Sequence, residues 1–236
     1  MIYNFGDFYI GYWKNDKING EGTYEFKNGY IYKGNFTSGL KDGYGEYTAP
    51  PPIEITYKGN WKNGFISGNG EFLYLDGSKY IGEFENGKKE GFGEMFMKSG
   101  CHYRGHWKND FKYGYGENVD YDNTIYKGNW LEDYKHGYGE VIYADNTVYK
   151  GNFRKGMTSG IGEYIFHGAG GVIKGVFHEN IFSGKIEHWV SDACKIDIDV
   201  TNMNLECILK LDQGKIEIVE DNLKDYCYFI TQRKFS

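Results

Sequence analysis

Tyr57-Lys58-Gly59-Asn60-Trp61-Lys62-Asn63-Gly64-Phe65-Ile66-Ser67-Gly68-Asn69-Gly70-Glu71-Phe72, closed by Asp76-Gly77, is the stretch that decides the fold. The same spacing of Tyr-x-Gly-x-Trp/Phe and Gly-x-Gly begins at Tyr9, Tyr32, Tyr57, Tyr80, Tyr103, Tyr126 and Tyr149, at intervals of 23, 25, 23, 23, 23 and 23 residues. A degenerate copy begins at Ile173. A fixed period of this size marks a repeat architecture, in which each unit is one supersecondary element completed by its neighbours.

With the Tyr numbered 1, positions 1, 3 and 5 alternate with polar residues at 2 and 4, as do 12, 14 and 16 with their neighbours. That period of two is the period of a strand. Between them stand turn-forming pairs such as Ser38-Gly39, Asn63-Gly64, Asn86-Gly87 and Lys155-Gly156, several with residues that accept positive φ. Each repeat therefore reads as a β-hairpin, and a second turn near positions 20 and 21 joins it to the next. The expected fold is all-β: an elongated, twisted antiparallel sheet of about eight stacked hairpins, roughly 75 to 80 Å long at ~4.8 Å per strand.

A register pairing position 5 with 12, 3 with 14 and 1 with 16 sets Gly opposite Gly. The bare backbone there makes a slot for rings from the neighbouring hairpin. The same register sets position 2 against 15 on the other face. Expected cross-strand ion pairs within hairpins are Lys33–Glu46, Lys58–Glu71, Arg104–Glu117, Lys127–Glu140, Lys150–Glu163 and Lys174–Glu187, each worth at most ~1 kcal/mol when exposed.

The chain then divides into residues 1–8, the tail of a partial repeat that caps the first hairpin; residues 9–187, the array; and residues 188–236, where the period is lost. Alternation persists in the last part at Lys195 to Val200, Leu205 to Leu211, Lys215 to Val219 and Tyr226 to Thr231, which predicts a β-rich cap. The three prolines, Pro50 to Pro52, stand in the one 25-residue interval and mark a loop insertion.

The repeated stretch resembles the MORN repeat, whose pattern is Tyr-x-Gly-x-Trp/Phe with Gly-x-Gly and a closing Asp/Asn-Gly. The resemblance runs from Tyr9 to about Glu187. It implies an antiparallel sheet with an aromatic groove and no catalytic activity in the repeats. It also implies a scaffold in cytoskeletal, ciliary or membrane-junction assemblies that holds a partner's tail along the groove. Family members that bind phospholipids or adjoin enzymes make a phosphoinositide-binding adaptor or an enzyme's regulatory subunit the alternatives.

Chemistry-bearing constellations are missing from the sequence. The Gly-x-Gly units lack the third Gly and following helix of a phosphate cradle. Six histidines and four cysteines show no metal-ligand spacing, and no Gly-x-Ser-x-Gly elbow occurs. The expectation is a non-enzyme with no catalytic residue, cofactor or metal, and with reduced thiols. A net charge of -6 disfavours nucleic acid and anionic lipid. With no apolar run near ~18 residues, the chain reads as cytoplasmic, associated with a cytoskeleton or inner membrane complex. A second copy of the chain is a further candidate partner, through an unpaired C-terminal edge.

Two sets of residues exceed what the repeat needs. Position 13 is aromatic at Tyr44, Phe92, Tyr115 and Tyr138, on the face opposite the glycine slot. Loop position 9 is apolar at Leu40, Phe65, Phe111, Tyr134, Met157 and Ile181, along one edge. Aligned apolar side chains of this kind either pack against the next repeat or form a docking surface, here for a peptide or helical tail of a protein partner.

Overall fold

The computed structural model describes residues 2–3, 6–166, 171–191 and 194–204. Every regular element among them is a strand. The chain forms two compact units, Met1–Tyr134 and Lys135–Ser236.

The first unit holds β1 (Ile2–Tyr3), β2 (Asp7–Lys14), β3 (Lys17–Glu25), β4 (Ile31–Thr37), β5 (Leu40–Thr48) and β6 (Thr56–Lys62). It continues with β7 (Phe65–Leu73), β8 (Lys79–Glu85), β9 (Lys88–Phe96), β10 (His102–Lys108), β11 (Phe111–Val119) and β12 (Ile125–Leu131). Each strand pairs antiparallel with its chain neighbours, so the connectivity is an uninterrupted meander. The second unit holds β14 (Val148–Arg154), β15 (Met157–Phe166), β16 (Gly171–His178), β17 (Ile181–Ser191) and β18 (Cys194–Asn204), preceded by β13 (Tyr134–Ile142), and these pair in the same manner. The predicted strand Lys195 to Val200 lies within β18; the three that follow it lie outside the described residues.

The turns behave as their residues demand. Asn63 and Gly64 take φ of 49° and 87°, the left-handed pair of a two-residue hairpin turn. Ser38, Glu132 and Lys155 hold the same conformation at φ of 50° to 51°. The Gly64 N–H donates back to the Lys41 carbonyl of the preceding repeat at 2.8 Å. Five-residue loops such as 74–78 join the hairpins, closed by Tyr74 N–H to Ser78 O and Gly77 N–H to Tyr74 O. The proline segment lengthens one of these loops by two residues, closed instead by Ala49 N–H to Ile55 O.

The register corrects one expectation. In hairpin β4–β5, Tyr32 faces Tyr47, Lys33 faces Glu46 and Gly34 faces Gly45, as predicted, but Phe36 faces Lys41 rather than Gly43. Two additional residues on β5 are taken up in a bulge, with Gly43 at φ 101°. Position 12 instead faces position 5 of the next repeat, Gly43 against Trp61. The short two-residue turn pairs Thr37 with Leu40. Keeping Gly34 opposite Gly45 as well requires a bulge, and a residue without Cβ absorbs it at least cost. Hairpin β16–β17 has no such offset and runs straight from His178–Ile181 to Gly171–His188. Consequently Lys174 faces Lys185 and Glu187 faces Val172, so the expected register of Lys174 opposite Glu187 does not hold.

Candidate functional site

One face is filled by the protein's own rings. Tyr32, Tyr57, Tyr80 and Tyr103 are fully buried, each lying over the Gly pair of its own hairpin. A Cβ on Gly45 would collide with the Tyr32 ring, and one on Gly34 would lie 2.5 Å from the Gly45 Cα. The slot is thus occupied by the repeat's own Tyr and not, as expected, by a ring of the neighbouring hairpin. The neighbour contributes the edge: Tyr57 stands T-shaped between Trp61 of its own repeat at 5.4 Å and Phe84 of the next at 5.5 Å. Such pairs contribute ~0.5–1.5 kcal/mol each beyond area burial. In the second unit Tyr149 stands likewise between Phe153 and Phe177, at 5.2 and 5.3 Å.

The bulge leaves backbone groups of position 4 without ladder partners, and side chains take them up. The Tyr57 hydroxyl donates to Asn60 O at 2.9 Å, and the Asn60 side-chain amide donates across the bulge to Asn69 O at 3.2 Å. The pattern recurs at Tyr32 with Asn35 and at Tyr149 with Asn152. Burial pushes the hydroxyls of Tyr32, Tyr57, Tyr80, Tyr103 and Tyr149 well above the ordinary tyrosine pKa, and that of Tyr74 up to about 12.

The opposite face carries the residues singled out in the sequence. In the first unit Tyr44 on β5, Phe92 on β9 and Tyr115 on β11 face Asn60, His106 and Asn129 of the following strands, and are 60%, 41% and 54% exposed. Phe92 meets the His106 ring edge-on at 5.7 Å and takes the Arg104 guanidinium over its face at the same distance. Leu40, Phe65, Phe111 and Tyr134 are exposed beside the hairpin turns. They are the first residues of β5, β7, β11 and β13 rather than loop residues, because the turn takes only two residues and pairs Lys62 with Phe65 and Lys108 with Phe111. In the second unit Tyr138 and Ile181 are exposed and Met157 is half-buried.

Ion pairs on this face run the other way from the sequence expectation. Lys33, Lys58, Arg104 and Lys150 do face Glu46, Glu71, Glu117 and Glu163 across their own hairpins. The contacts formed join each basic residue to the Glu of the preceding repeat: Lys58–Glu46 at 3.1 Å, Arg104–Glu94 at 3.3 Å, Lys127–Glu117 at 3.7 Å and Lys150–Glu140 at 3.5 Å. Lys174 pairs with Glu163 at 3.1 Å. Glu46, Glu117 and Glu163 each sit between two basic neighbours, whereas Glu71 and Glu94 each face Ile81 on one side.

Sequence reasoning missed position 10. It is Lys41, Lys89 and Lys112 in three repeats of the first unit, and the bulge turns all three onto the ring face. The Lys41 ammonium stands 4.2 Å from the Tyr47 ring centroid and 4.3 Å from that of Trp61. Lys89 lies 4.1 Å over Trp107, and Lys112 lies 4.5 Å over both Tyr103 and Trp130. A Lys in phase with the ring column was the available signal; without the bulge, parity places it on the wrong face.

An all-β array of bulged hairpins, each closed over a Tyr lying on two glycines, is the class these observations define. The MORN repeat profile matches residues 9–29, 32–51, 57–79, 80–102, 126–148 and 149–168. These stretches make up more than half of the chain, which belongs to the MORN repeat family. The copy from Tyr103 lies outside the matched stretches although it folds as the others do; positions 16 and 18, apolar in the six others, are Asn118 and Asp120 there. Alsin of Rattus norvegicus is 45% identical over 42 residues, a stretch that covers 18% of this chain and only 2% of Alsin. Among solved structures, the TCP domain of Drosophila melanogaster SAS-4 in complex with a proline-rich motif of Ana2 aligns at a TM-score of 0.41 and 13% identity, over 66% of this chain and 83% of that one. The TCP10 domain of Danio rerio CPAP with a peptide of STIL aligns at 0.37 and 11%, over 82% and 99%. Likeness at that level carries no argument about this chain.

Proposed function

We propose that this chain is a non-enzymatic protein-interaction scaffold that holds an extended or helical segment of a partner against the face opposite its ring column. The observation that carries this reading is the exposed row of Tyr44, Phe92 and Tyr115 in one register, beside the exposed apolar residues Leu40, Phe65 and Phe111. The ring column is already packed; these side chains contribute nothing comparable to the fold. Exposed aromatic side chains in line supply contact area at low entropic cost, as interface anchors do. Membership of the MORN repeat family supports a scaffold, and the setting proposed for it is a cytoskeletal or membrane-associated assembly of the cytoplasm.

Proximity labelling in the native cell identifies partners, and pull-down with the double variant Phe92→Ala/Tyr115→Ala tests the face. Partner capture is expected to be lost while the far-UV circular dichroism is retained. Undiminished capture by a folded double variant overturns the assignment. Salt-sensitive flotation with phosphoinositide vesicles and no protein capture would favour the lipid-adaptor alternative.

A further inference from the structure

The lysines on the ring face differ from the basic residues of the opposite face, where even Arg104, set over the Phe92 ring, is paired with Glu94. Their heads rest on aromatic rings, while those of the opposite face rest on glutamates. Lys41 stands within 5.3 Å of four ring centroids. Among the described residues no carboxylate lies within ion-pair distance of it. The acids nearby are engaged elsewhere: Asp42 accepts the Asn63 amide and Glu90 the Asn109 amide, while Asp110 accepts the Lys89 amide. Asp110 and Asp133 still act on the Lys89 charge through space. Burial pushes the Lys41 pKa down to about 8, the mark of an ammonium that has lost water without gaining an anion.

Packing alone does not call for a charge at this position. The first repeat has Ile18 there, buried at 4% exposure, and the third has Ile66. An aliphatic side chain fills the same place on the rings without desolvating an ammonium. A ring satisfies a cation electrostatically but accepts none of its three N–H bonds in full. The Lys112 head meets that demand by donating to Asn118 Oδ1 at 2.7 Å; among the described residues the heads of Lys41 and Lys89, set over Trp61 and Trp107, have no such acceptor.

We infer that the ring face of the first unit binds an acidic polypeptide segment laid across the strands, with its carboxylates on Lys41 and Lys89. The site is distinct from the aromatic row on the opposite face and does not rest on it. Lys41 on β5 and Lys89 on β9 are four strands apart, about 19 Å, and Lys112 on β11 lies about 10 Å beyond. On a helix that spacing corresponds to roughly one side chain per heptad, an acid for each Lys and an apolar residue for the intervening Ile66. Charge complementarity selects this occupant: the chain is acidic overall, so only a localised cationic column can attract a carboxylate-rich segment.

A short fluorescein-labelled polyglutamate peptide is the probe, titrated against the full chain by anisotropy and by the emission of Trp61 and Trp107, which lie under the two ammonium heads. Lys41→Met/Lys89→Met should weaken binding by roughly tenfold or more. Lys41→Arg/Lys89→Arg should keep it. The charge-matched variant Lys58→Met/Lys127→Met, on the opposite face, should change it by less than about twofold. Equal weakening by the two Met pairs, or no Trp response on binding, overturns the proposal. So does failure of the intact chain to bind polyglutamate, and so does binding to phosphatidylserine vesicles without binding to the peptide. Phe92→Ala/Tyr115→Ala leaves this binding intact, so the two faces fail or succeed separately.

Discussion

The two faces of the first unit are built from the same strands and both carry tyrosines, yet they are opposites. On one, Tyr32, Tyr57, Tyr80 and Tyr103 have no accessible surface; on the other, Tyr44 and Tyr115 are more than half exposed. The difference lies in the backbone beneath. Glycine on two adjacent strands lets a Tyr ring lie flat and be flanked by the rings of two repeats, whereas Asn60 or Asn129 opposite an exposed Tyr keeps its ring standing in solvent. Burial in this protein is therefore set by where Cβ atoms are missing more than by which residues are apolar.

The largest test of that contrast is alkaline pH. Tyrosines on the ring face hold their protons above the ordinary pKa of 10.0 because the phenolate would be buried. The unfolded chain releases those protons near 10, so between there and the folded value the native state binds more protons and stability falls as pH rises. Their contribution is whole below pH 10 and disappears above it. Cooperative loss of strand circular dichroism should coincide with the rise of the tyrosinate absorption of this column. Gradual ionisation of the buried rings in an intact fold would break the comparison.

Tyr57→Ala follows, with an expected cost of about 3–5 kcal/mol in urea unfolding, against less than about 0.5 kcal/mol for Tyr44→Ala on the other face. Similar costs for the two would mean that exposure is a poor guide here. Gly59→Ala adds only one methyl group, but its Cβ would lie 2.5 Å from the Gly70 Cα and against the Tyr57 hydroxyl. It should destabilise by about 1–3 kcal/mol. The charged face also gives a small effect: Lys58→Ala removes the 3.1 Å pair with Glu46 between half-exposed side chains and should cost less than about 1 kcal/mol, a difference that high salt erases.

Much of this was legible in the residues. The period, the strands, the two-residue turns and the glycine-over-glycine register all follow from alternation and from pairs such as Asn63-Gly64, whose positive φ only a few residue types accept. The exposed position of Tyr44 and its counterparts followed from parity. Three things were not legible, and they share one cause. The seating of each Tyr over its own glycines, the direction of each ion pair and the presence of Lys41 on the ring face all depend on the bulge between positions 9 and 14. Gly43 permits a bulge, but so does a regular strand permit a glycine.

The amino-acid sequence by itself determined that this chain is a MORN array of antiparallel hairpins with one face of rings and one of charges, because side-chain alternation and turn propensities are local. Tertiary structure alone decided how each strand is shared between two neighbours. A strand must satisfy the ladder on both sides at once, and the two-residue turn on one side and the glycine pair on the other agree only if a bulge shifts the chain between them. That shift carries Lys41, Lys89 and Lys112 onto the aromatic face, and with them the site that no reading of one strand could have found.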